Sequence, residues 1–283
     1  VSDRNGSEIS RESLDENINF LEKYSNSRFK GMLGLHASFT LSDDTLSEAS
    51  EIIKKYNTGI HIHLCEDISD KTISMEVADS QPLHRLADFN LLNEKSILVH
   101  GVHLSDEDFQ RLPDYGSAIT LNPDSNMNNA VGLPNYQNIP QDIPLLVGTD
   151  GMHANTAHSF KQLFLLHRNQ KNSFDESFGW MNKIYMDQQY FIKNYFPDFT
   201  SLQEDDRADF IIWDYVPPTP IHEENFLGHY VYAITERPVR SVAMDGNFLM
   251  KDFKINVADE DKLNREIYSQ GEKLYKSFEN EGD

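Results

Sequence analysis

The chain has 283 residues, 39% of them hydrophobic and 11% aromatic, which is enough apolar material for a large buried core. Forty-six acidic residues against 25 basic ones give a formal charge of −21, which repels nucleic-acid phosphates and anionic membrane surfaces. No apolar run approaches the ~20 residues that cross a bilayer, so we expect neither a nucleic-acid nor a membrane partner. The single cysteine, Cys65, cannot form a disulfide within the chain, and the polar opening VSDRNGSEIS lacks a signal pattern. A cytoplasmic location is therefore expected.

Helical and extended patterns alternate along the first two thirds of the chain. Ser13, with Glu16 three residues later, has the spacing of a capping box and predicts a helix over 13–24. Ser42 is expected to cap the next helix, because apolar residues recur after it at the 3.6-residue period. Further helices are predicted over 82–89, from Ser105, over 157–167 and over 178–195, and strands over 32–39, 58–65, 96–102, 117–122 and 144–149.

This alternation predicts an α/β fold. Strands joined by single helices form right-handed βαβ units and a parallel sheet. Polar residues follow each predicted strand, as in a (β/α)8 TIM barrel, where active sites lie at the carboxyl ends of the strands. Five strands are three fewer than a barrel needs. The region is therefore either a partial barrel that starts in the middle or a smaller open sheet.

The pattern changes near residue 205. An apolar strand is predicted over 208–215, and a hairpin with an Asp245-Gly246 turn over 239–251. A charged helix is predicted over 259–278. We therefore place a domain boundary between 1–205, the barrel part, and 206–283, part of a small β-sandwich domain with a C-terminal helix.

Polar residues that can bind metal follow the predicted strands. Side chains alternate along a strand, so His61 and His63 share a face, and His63 is nearer the carboxyl end. Glu66 lies just beyond that strand, and Asp150 ends the fifth strand. Imidazole and carboxylate are ordinary ligands of Zn²⁺ and Fe²⁺, and a carboxylate beside bound water can move protons. These positions therefore predict a metal centre.

Each of these residues also has a structural interpretation when it is taken alone. A strand-end histidine is more often a hydrogen-bonded structural residue, and Asp150 before Gly151 fits a plain turn, as does Asn122 before Pro123. Five successive strand ends, four of them in His or Asp, favour function. That interpretation applies to His63, Glu66, His100 and Asp150, whereas His61, His84, His103, His222 and His229 are predicted to be structural.

Five motifs in one order resemble a known family. They are HASFTLSDDTL, HIHLCED, LVHGVHLSDEDF, LNPDSNMNNAVG and VGTDGMHANT. Together they resemble the amidohydrolase superfamily, in particular its mononuclear branch of deaminases and triazine chlorohydrolases. The resemblance covers essentially the whole chain and implies that the five strands are barrel strands four to eight.

The resemblance implies a role for each matching residue. His63 would be a metal ligand, and Asp150 both a ligand and a base. Glu66 would be the general acid/base, and His100 would hydrogen-bond the attacking hydroxide or the tetrahedral intermediate. The residues that would contact substrate are His36, Asn122, Ser125, Asn126 and His153.

The chain departs from the family in its metal ligands. The HxH pair of the family's first strand has no counterpart, because no histidine precedes His36. The resemblance therefore implies a missing N-terminal segment that supplies part of the ligand set and acts as a folding partner. We expect residues 1–283 to fold poorly without that missing segment, because an open barrel edge exposes backbone groups. Binuclear relatives have a metal-bridging lysine on strand four. The nearest lysine here, Lys30, precedes that strand, so the resemblance favours one divalent ion, Zn or Fe.

Together these features predict a metal-dependent hydrolase of non-peptide C–N bonds. The expected reaction is hydrolytic deamination of a small cyclic amidine or nucleobase-like substrate by metal-bound hydroxide, with a halide leaving group as the chlorohydrolase variant. Two alternatives stay open, a binuclear ring-opening amidase and a catalytically inert scaffold relative. A homodimer is a further option for the assembly.

Overall fold

The structure is a computed structural model and describes residues 1–200, 202, 204 and 206–281, without the side chains of 280 and 281. It consists of two compact units, Val1–Asp198 and Phe199–Asp283, and each is described by itself. Residue 205, at which the sequence places the domain boundary, lies outside the described residues. The division into 1–205 and 206–283 stays a prediction.

The first unit contains a five-stranded parallel sheet whose strands follow one another in chain order. The strands are β1 (Leu33–Ala37), β2 (Ile60–Leu64), β3 (Ile97–His100), β4 (Ala118–Leu121) and β5 (Leu145–Val147). At least one helix connects each strand to the next. The predicted α/β fold with a parallel sheet is therefore confirmed.

Eight helices of the first unit lie within its described residues. They are α1 (Ser7–Lys23), α2 (Asp43–Tyr56), α3 (Ile68–Ala78), α4 (Pro82–Asp88), α5 (Asp106–Tyr115), α6 (Pro123–Asn128), α7 (Thr156–Asn169) and α8 (Phe174–Lys193). Short 3-10 turns add Asp3–Asn5, Ser38–Thr40 and Tyr136–Asn138. Across both units, none of the described helices combines the length and apolarity that spanning a membrane requires.

The predicted helix starts have mixed outcomes. Ser42 accepts the backbone N–H of Thr45 at 3.2 Å and caps α2, as predicted. The predicted start of α1 at Ser13 is wrong, because the helix begins six residues earlier, after Gly6. The hydroxyl of Ser13 donates to the carbonyl oxygen of Ile9 at 2.8 Å, so this residue bonds back within the helix and does not cap it.

Strand alternation separates the core from the polar face of the sheet. Ile60 and Ile62 on β2 are fully buried, whereas His61 is exposed and His63 half-buried. The same strand therefore gives one face to the hydrophobic core and the other to polar chemistry.

The amino-terminal end of the sheet is tied to the residues that follow α8. The hydroxyl of Tyr195 donates to the carbonyl oxygen of Lys95 at 2.7 Å and accepts the N–H of Gly59 at 3.3 Å. Asn194 donates to the carbonyl oxygen of Glu94 at 2.7 Å. These bonds connect residues 100 to 136 positions apart, and burial raises the pKa of Tyr195.

The free edge of β1 is partly hydrogen-bonded by the first residue. The amino group of Val1 donates to the carbonyl oxygen of Gly34 at 2.8 Å, and the N–H of His36 donates to Val1 at 2.9 Å. This pattern is that of a parallel bridge, and it covers one of the backbone positions that an open edge would expose.

The second unit contains an antiparallel sheet in its described residues. Its strands pair in the order β6 (Phe210–Trp213), β7 (Val239–Met244), β8 (Asn247–Lys251) and β9 (Lys254–Ile255), and its helices are α9 (Glu223–Tyr232) and α10 (Glu260–Glu281), with a 3-10 turn at Ile234–Glu236. The predicted Asp245-Gly246 turn is confirmed, with φ of 50° and 74°, as a tight hairpin requires. The β-sandwich stays a prediction.

Candidate active site

The carboxyl ends of three parallel strands bring together the side chains that the sequence predicts. His100 is the last residue of β3, and Glu66 and Asp150 follow β2 and β5. One donor atom from each of the three lies within 4.8 Å of the other two. His100 Nε2 is 3.4 Å from Glu66 Oε2. We call these three residues, with the neighbouring His63, the strand-end cluster.

His63 is oriented by a backbone carbonyl of the adjacent strand β1. Its Nδ1 lies 2.6 Å from the carbonyl oxygen of His36, which can only accept a hydrogen bond. Nδ1 therefore donates, and Nε2 keeps a free lone pair. The ring stacks on His100 with centroids 5.5 Å apart, so both imidazoles lie at the same place on the sheet.

His100 is buried and held by an amide. Its Nδ1 is 2.8 Å from Oδ1 of Asn126, and Nδ2 of Asn122 lies 3.4 Å away. With Nδ1 donating to Asn126, the lone pair of His100 is on Nε2, which is buried without a hydrogen-bond partner. A buried orphan of this kind is a position for an unseen ligand.

Asp150 accepts two hydrogen bonds. Ser125 donates its hydroxyl at 2.6 Å and Gly151 its N–H at 2.7 Å. The hydrogen bond from Ser125 is the largest influence and lowers the pKa of Asp150, since burial alone would raise it. The N–H of Gly151 acts in the same direction as Ser125 on the pKa of Asp150, so the carboxylate is held ionised.

Three strand ends have unusual backbone geometry. Cys65, which precedes Glu66, has a φ of 49°, His100 of 78° and Asp150 of 50°. A left-handed conformation in a residue other than glycine costs about 1–3 kcal/mol and persists only where surrounding contacts impose it. The chain therefore accepts strain in order to turn these side chains toward one another.

Close packing between β4 and β5 supports the amides beneath the cluster. A Cβ at Gly148 would lie 1.9 Å from Oδ1 of Asn122 and 2.7 Å from Cγ2 of Thr120. Asn122 is buried, with 2% of its surface exposed. Only glycine at 148 leaves room for Asn122 in this position.

The predicted substrate residues divide into two places. His36 lies beside the strand-end cluster, with its ring centroid 5.3 Å from that of His63, and burial, with a smaller effect of His63, lowers its pKa. The other three support the cluster directly: Asn122 and Asn126 contact His100, and Ser125 hydrogen-bonds Asp150. His153 instead contacts Asp124 at 3.4 Å. Its predicted contact with substrate stays a prediction.

Sequence reasoning missed two residues at the cluster. Asn129 donates to Glu66 Oε1 and to Ser125 Oγ, both at 3.3 Å. Asp70 accepts the backbone N–H of Glu66 at 2.9 Å. The available signal was spacing, because Asn129 follows Ser125 by four residues and shares its face at the end of α6.

The donors of the strand-end cluster fit a divalent metal ion. His63 and His100 each keep a lone pair on Nε2, because Nδ1 of each ring is used in a hydrogen bond. Asp150 and Glu66 supply carboxylate oxygens. Neutral imidazole and carboxylate are the ligands that Zn²⁺ and similar ions take in catalytic sites. A parallel α/β sheet with such donors at its carboxyl edge belongs to the class of folds that can hold a metal ion where active sites lie.

The family comparison agrees with this class. Residues 2–187 match the amidohydrolase family, and the chain belongs to it. It is 29% identical over 269 residues to the 5'-deoxyadenosine deaminase of Methanocaldococcus jannaschii, covering 91% of this chain and 61% of that protein. It is 26% identical over 283 residues to the 5-methylthioadenosine/S-adenosylhomocysteine deaminase of Thermoanaerobacter pseudethanolicus, covering 97% and 66%.

Solved structures show the same fold. An adenosine deaminase from Xanthomonas campestris with bound zinc superposes with a TM-score of 0.78 at 18% identity, over 94% of this chain and 61% of that one. Atrazine chlorohydrolase from Arthrobacter aurescens, complexed with zinc, has a TM-score of 0.76 at 18% identity, over 92% and 60%. The chain thus spans about three-fifths of the length of these proteins.

Proposed function

We propose that the protein hydrolyses a non-peptide C–N bond and deaminates a cyclic amidine of the aminopurine type. The observation that carries this proposal is the convergence of Glu66, His100 and Asp150 at three strand ends within 4.8 Å. Similarity to deaminases of adenosine derivatives favours an aminopurine over a triazine as the substrate. A small, neutral heterocycle also suits a chain with a charge of −21 better than an anionic substrate does.

The metal site is proposed to use His63 and Asp150 as ligands for one Zn²⁺ or Fe²⁺ ion. When bound, the ion would supply a water molecule of lowered pKa. Two protein ligands are fewer than the three or four that such ions take, so we propose that further ligands come from outside residues 1–283. The five strands would then be strands four to eight of a (β/α)8 barrel, and the antiparallel sheet part of a β-sandwich.

The chain's own groups divide the chemical work. Asp150, kept ionised by Ser125, accepts a proton from the attacking water, and His100 Nε2 orients that water against the ring carbon. Glu66, which lies beside His100 at the open side of the cluster, acts in its protonated form and gives its proton to the departing amine as the C–N bond breaks. The proton that Asp150 took from the water then restores Glu66. His36 and the amides of Asn122 and Asn126 fix the geometry in which these transfers take place.

Substitution of Glu66 by Gln in the full-length protein tests the proposal. We expect turnover to fall by about 10²–10⁴-fold, since the general acid is removed, while the metal content is unchanged. Ammonia release is measured with a panel of aminopurine nucleosides, cytosine and aminotriazines. The matched control is Glu76→Gln, at an exposed glutamate of α3.

The control variant should retain the wild-type rate. Wild-type turnover in Glu66→Gln would remove Glu66 from the mechanism. Absence of ammonia release from the whole panel by the metal-loaded wild type would refute the deaminase assignment.

A further inference from the structure

A second group of potential metal ligands lies on α6, α7 and the loop after β5. His153 Nε2 is 3.4 Å from Asp124 Oδ2, and His158 Nε2 is 3.3 Å from Asp124 Oδ1. One donor atom from each residue lies within 4.8 Å of the other two, and the two rings meet edge to face with centroids 5.2 Å apart. We call these three residues the helix–loop cluster.

The separations in this cluster fit a shared ion better than direct hydrogen bonds. A charge-assisted N–H···O bond has a length of about 2.7–2.9 Å, well below the observed distances. Metal bonds of about 2.0–2.2 Å at tetrahedral angles place neighbouring ligand atoms about 3.3–3.6 Å apart. Both observed nitrogen–oxygen distances, 3.4 and 3.3 Å, lie in that range.

The Nε2 atom of His153 supports the same interpretation. It is buried and has no hydrogen-bond partner, although it faces a carboxylate. Buried polar atoms are almost always satisfied by protein, water or an ion, so an orphan at this place needs a ligand. The side chains of His153 and His158 are 29% and 42% exposed, which leaves a path for an ion from solvent.

Two weaker contacts would have to give way. The backbone N–H of Asn155 donates to His153 Nδ1 at 3.2 Å, and Gln162 Nε2 lies 3.3 Å from His158 Nε2. A metal at Nε2 of His153 places the ring proton on Nδ1, which ends the contact with Asn155. The amide of Gln162 is at the end of a flexible side chain and can rotate away.

We propose that Asp124, His153 and His158 bind a divalent transition-metal ion of the zinc type, with water as the fourth ligand. Two imidazoles with one carboxylate match Zn²⁺, whereas Mg²⁺ and Ca²⁺ prefer oxygen ligands alone. This site shares no ligand with the strand-end cluster. It therefore stands independently of the proposed function.

The helix–loop cluster lies next to a residue that supports Asp150. Asp124 precedes Ser125, whose hydroxyl donates to Asp150, and Asp124 also accepts the hydroxyl of Ser159 on α7 at 2.5 Å. An ion held by Asp124 would fasten α6 to α7 and to the loop after β5. The ion would thus hold in place the segment that carries Ser125.

Metal counting in the full-length protein tests this proposal. Chelator-treated protein is dialysed against Zn²⁺, and bound zinc is measured by mass spectrometry. We expect His153→Asn and His158→Asn each to bind one zinc ion fewer per chain than the wild type. With Co²⁺ as the probe, both variants should lose the visible bands that a four-coordinate ion at this site gives. The control is His222→Asn, at an exposed histidine of the second unit.

Equal zinc counts in the wild type and in both histidine variants would overturn the proposal. His63→Asn separates the two sites, because it should reduce zinc at the strand-end cluster and leave the ion at Asp124 in place. The two histidines are replaced one at a time, and circular dichroism verifies that each variant is folded. A loss of zinc in His222→Asn equal to that in His158→Asn would also contradict the assignment.

Discussion

The strand-end cluster and the helix–loop cluster use the same kinds of side chain in different frameworks. The first stands on strand ends with positive φ at His100 and Asp150 and is supported by buried amides. The second stands on two helices and a loop, and none of Asp124, His153 and His158 has a positive φ. Backbone strain thus accompanies the cluster to which we assign chemistry and is absent from the one at which we propose a second ion.

The largest expected effect separates the two clusters by activity. Asp150→Asn should lower kcat/KM of the full-length protein by about 10²–10⁴-fold, because it removes the proposed base and the proposed metal ligand together. His158→Asn should remain within about twofold of the wild type, since the contacts of His158 are with Asp124, His153, Asn155 and Gln162 and not with the strand-end cluster. Steady-state ammonia release measures both. A comparable loss in the two variants would mean that the clusters form one functional unit.

The next largest effect is expected for the amides that contact His100. Asn126→Ala leaves His100 Nδ1 without its acceptor, so the ring can turn or change tautomer, and we expect about a 10–100-fold loss of turnover or metal affinity. Asn128→Ala, two residues further along α6, is the control. Partial rescue in Asn126→Asp, which restores an acceptor, distinguishes positioning from mere packing. Equal activity in Asn126→Ala and Asn128→Ala would refute this role.

The third prediction concerns packing between β4 and β5. Gly148→Ala forces a Cβ against Asn122 and Thr120, and we expect about 1–3 kcal/mol of lost stability. Gly179→Ala on α8 is the matched control, because nothing lies within 4 Å of its Cβ, and it should stabilise by about 0.5–1 kcal/mol. Urea unfolding measures both variants. Equal urea midpoints in the two variants would show that Asn122 moves aside without loss of stability.

The smallest expected effect tests Asn129, which hydrogen-bonds Glu66 and the hydroxyl of Ser125. Asn129→Leu removes two 3.3 Å bonds, to Glu66 and Ser125. The net value of a hydrogen bond, about 0.5–1.5 kcal/mol, corresponds to roughly a threefold to tenfold loss in kcat. KM should change little, which separates orientation of Glu66 from substrate binding. A rise in KM at constant kcat would reassign Asn129 to the substrate pocket.

The parallel sheet and the strand-end cluster were accessible from the sequence. Alternation on β2 placed His63 opposite Ile60 and Ile62, and the polar residue after each strand marked the edge at which side chains meet. These are local rules. They hold because parallel strands in register bring their carboxyl ends together whatever the details of packing.

Elements without a one-sided apolar pattern were not accessible. The sequence gives no helical stripe over α3, whose Ile68, Met75 and Val77 are exposed and whose one buried residue is Ser74. The start of α1 was misplaced because Ser13 satisfies the capping pattern and yet bonds to a carbonyl oxygen one turn back.

The helix–loop cluster could not be predicted for a different reason. Asp124 fits a turn after Pro123, and His153 and His158 are separated from it by about 30 residues of sequence. Their convergence depends on how α6 packs beside α7, which no local periodicity encodes. Sites of this kind become visible only when the tertiary contacts are known.

The hydrogen bonds of Tyr195 lie at the amino-terminal end of the sheet, opposite the strand-end cluster. The phenol of Tyr195 bonds Gly59 and Lys95 there, whereas the strand-end cluster lies at the carboxyl ends of the strands. A spectroscopic label or cross-link placed beside Tyr195 would therefore report on global melting without disturbing turnover.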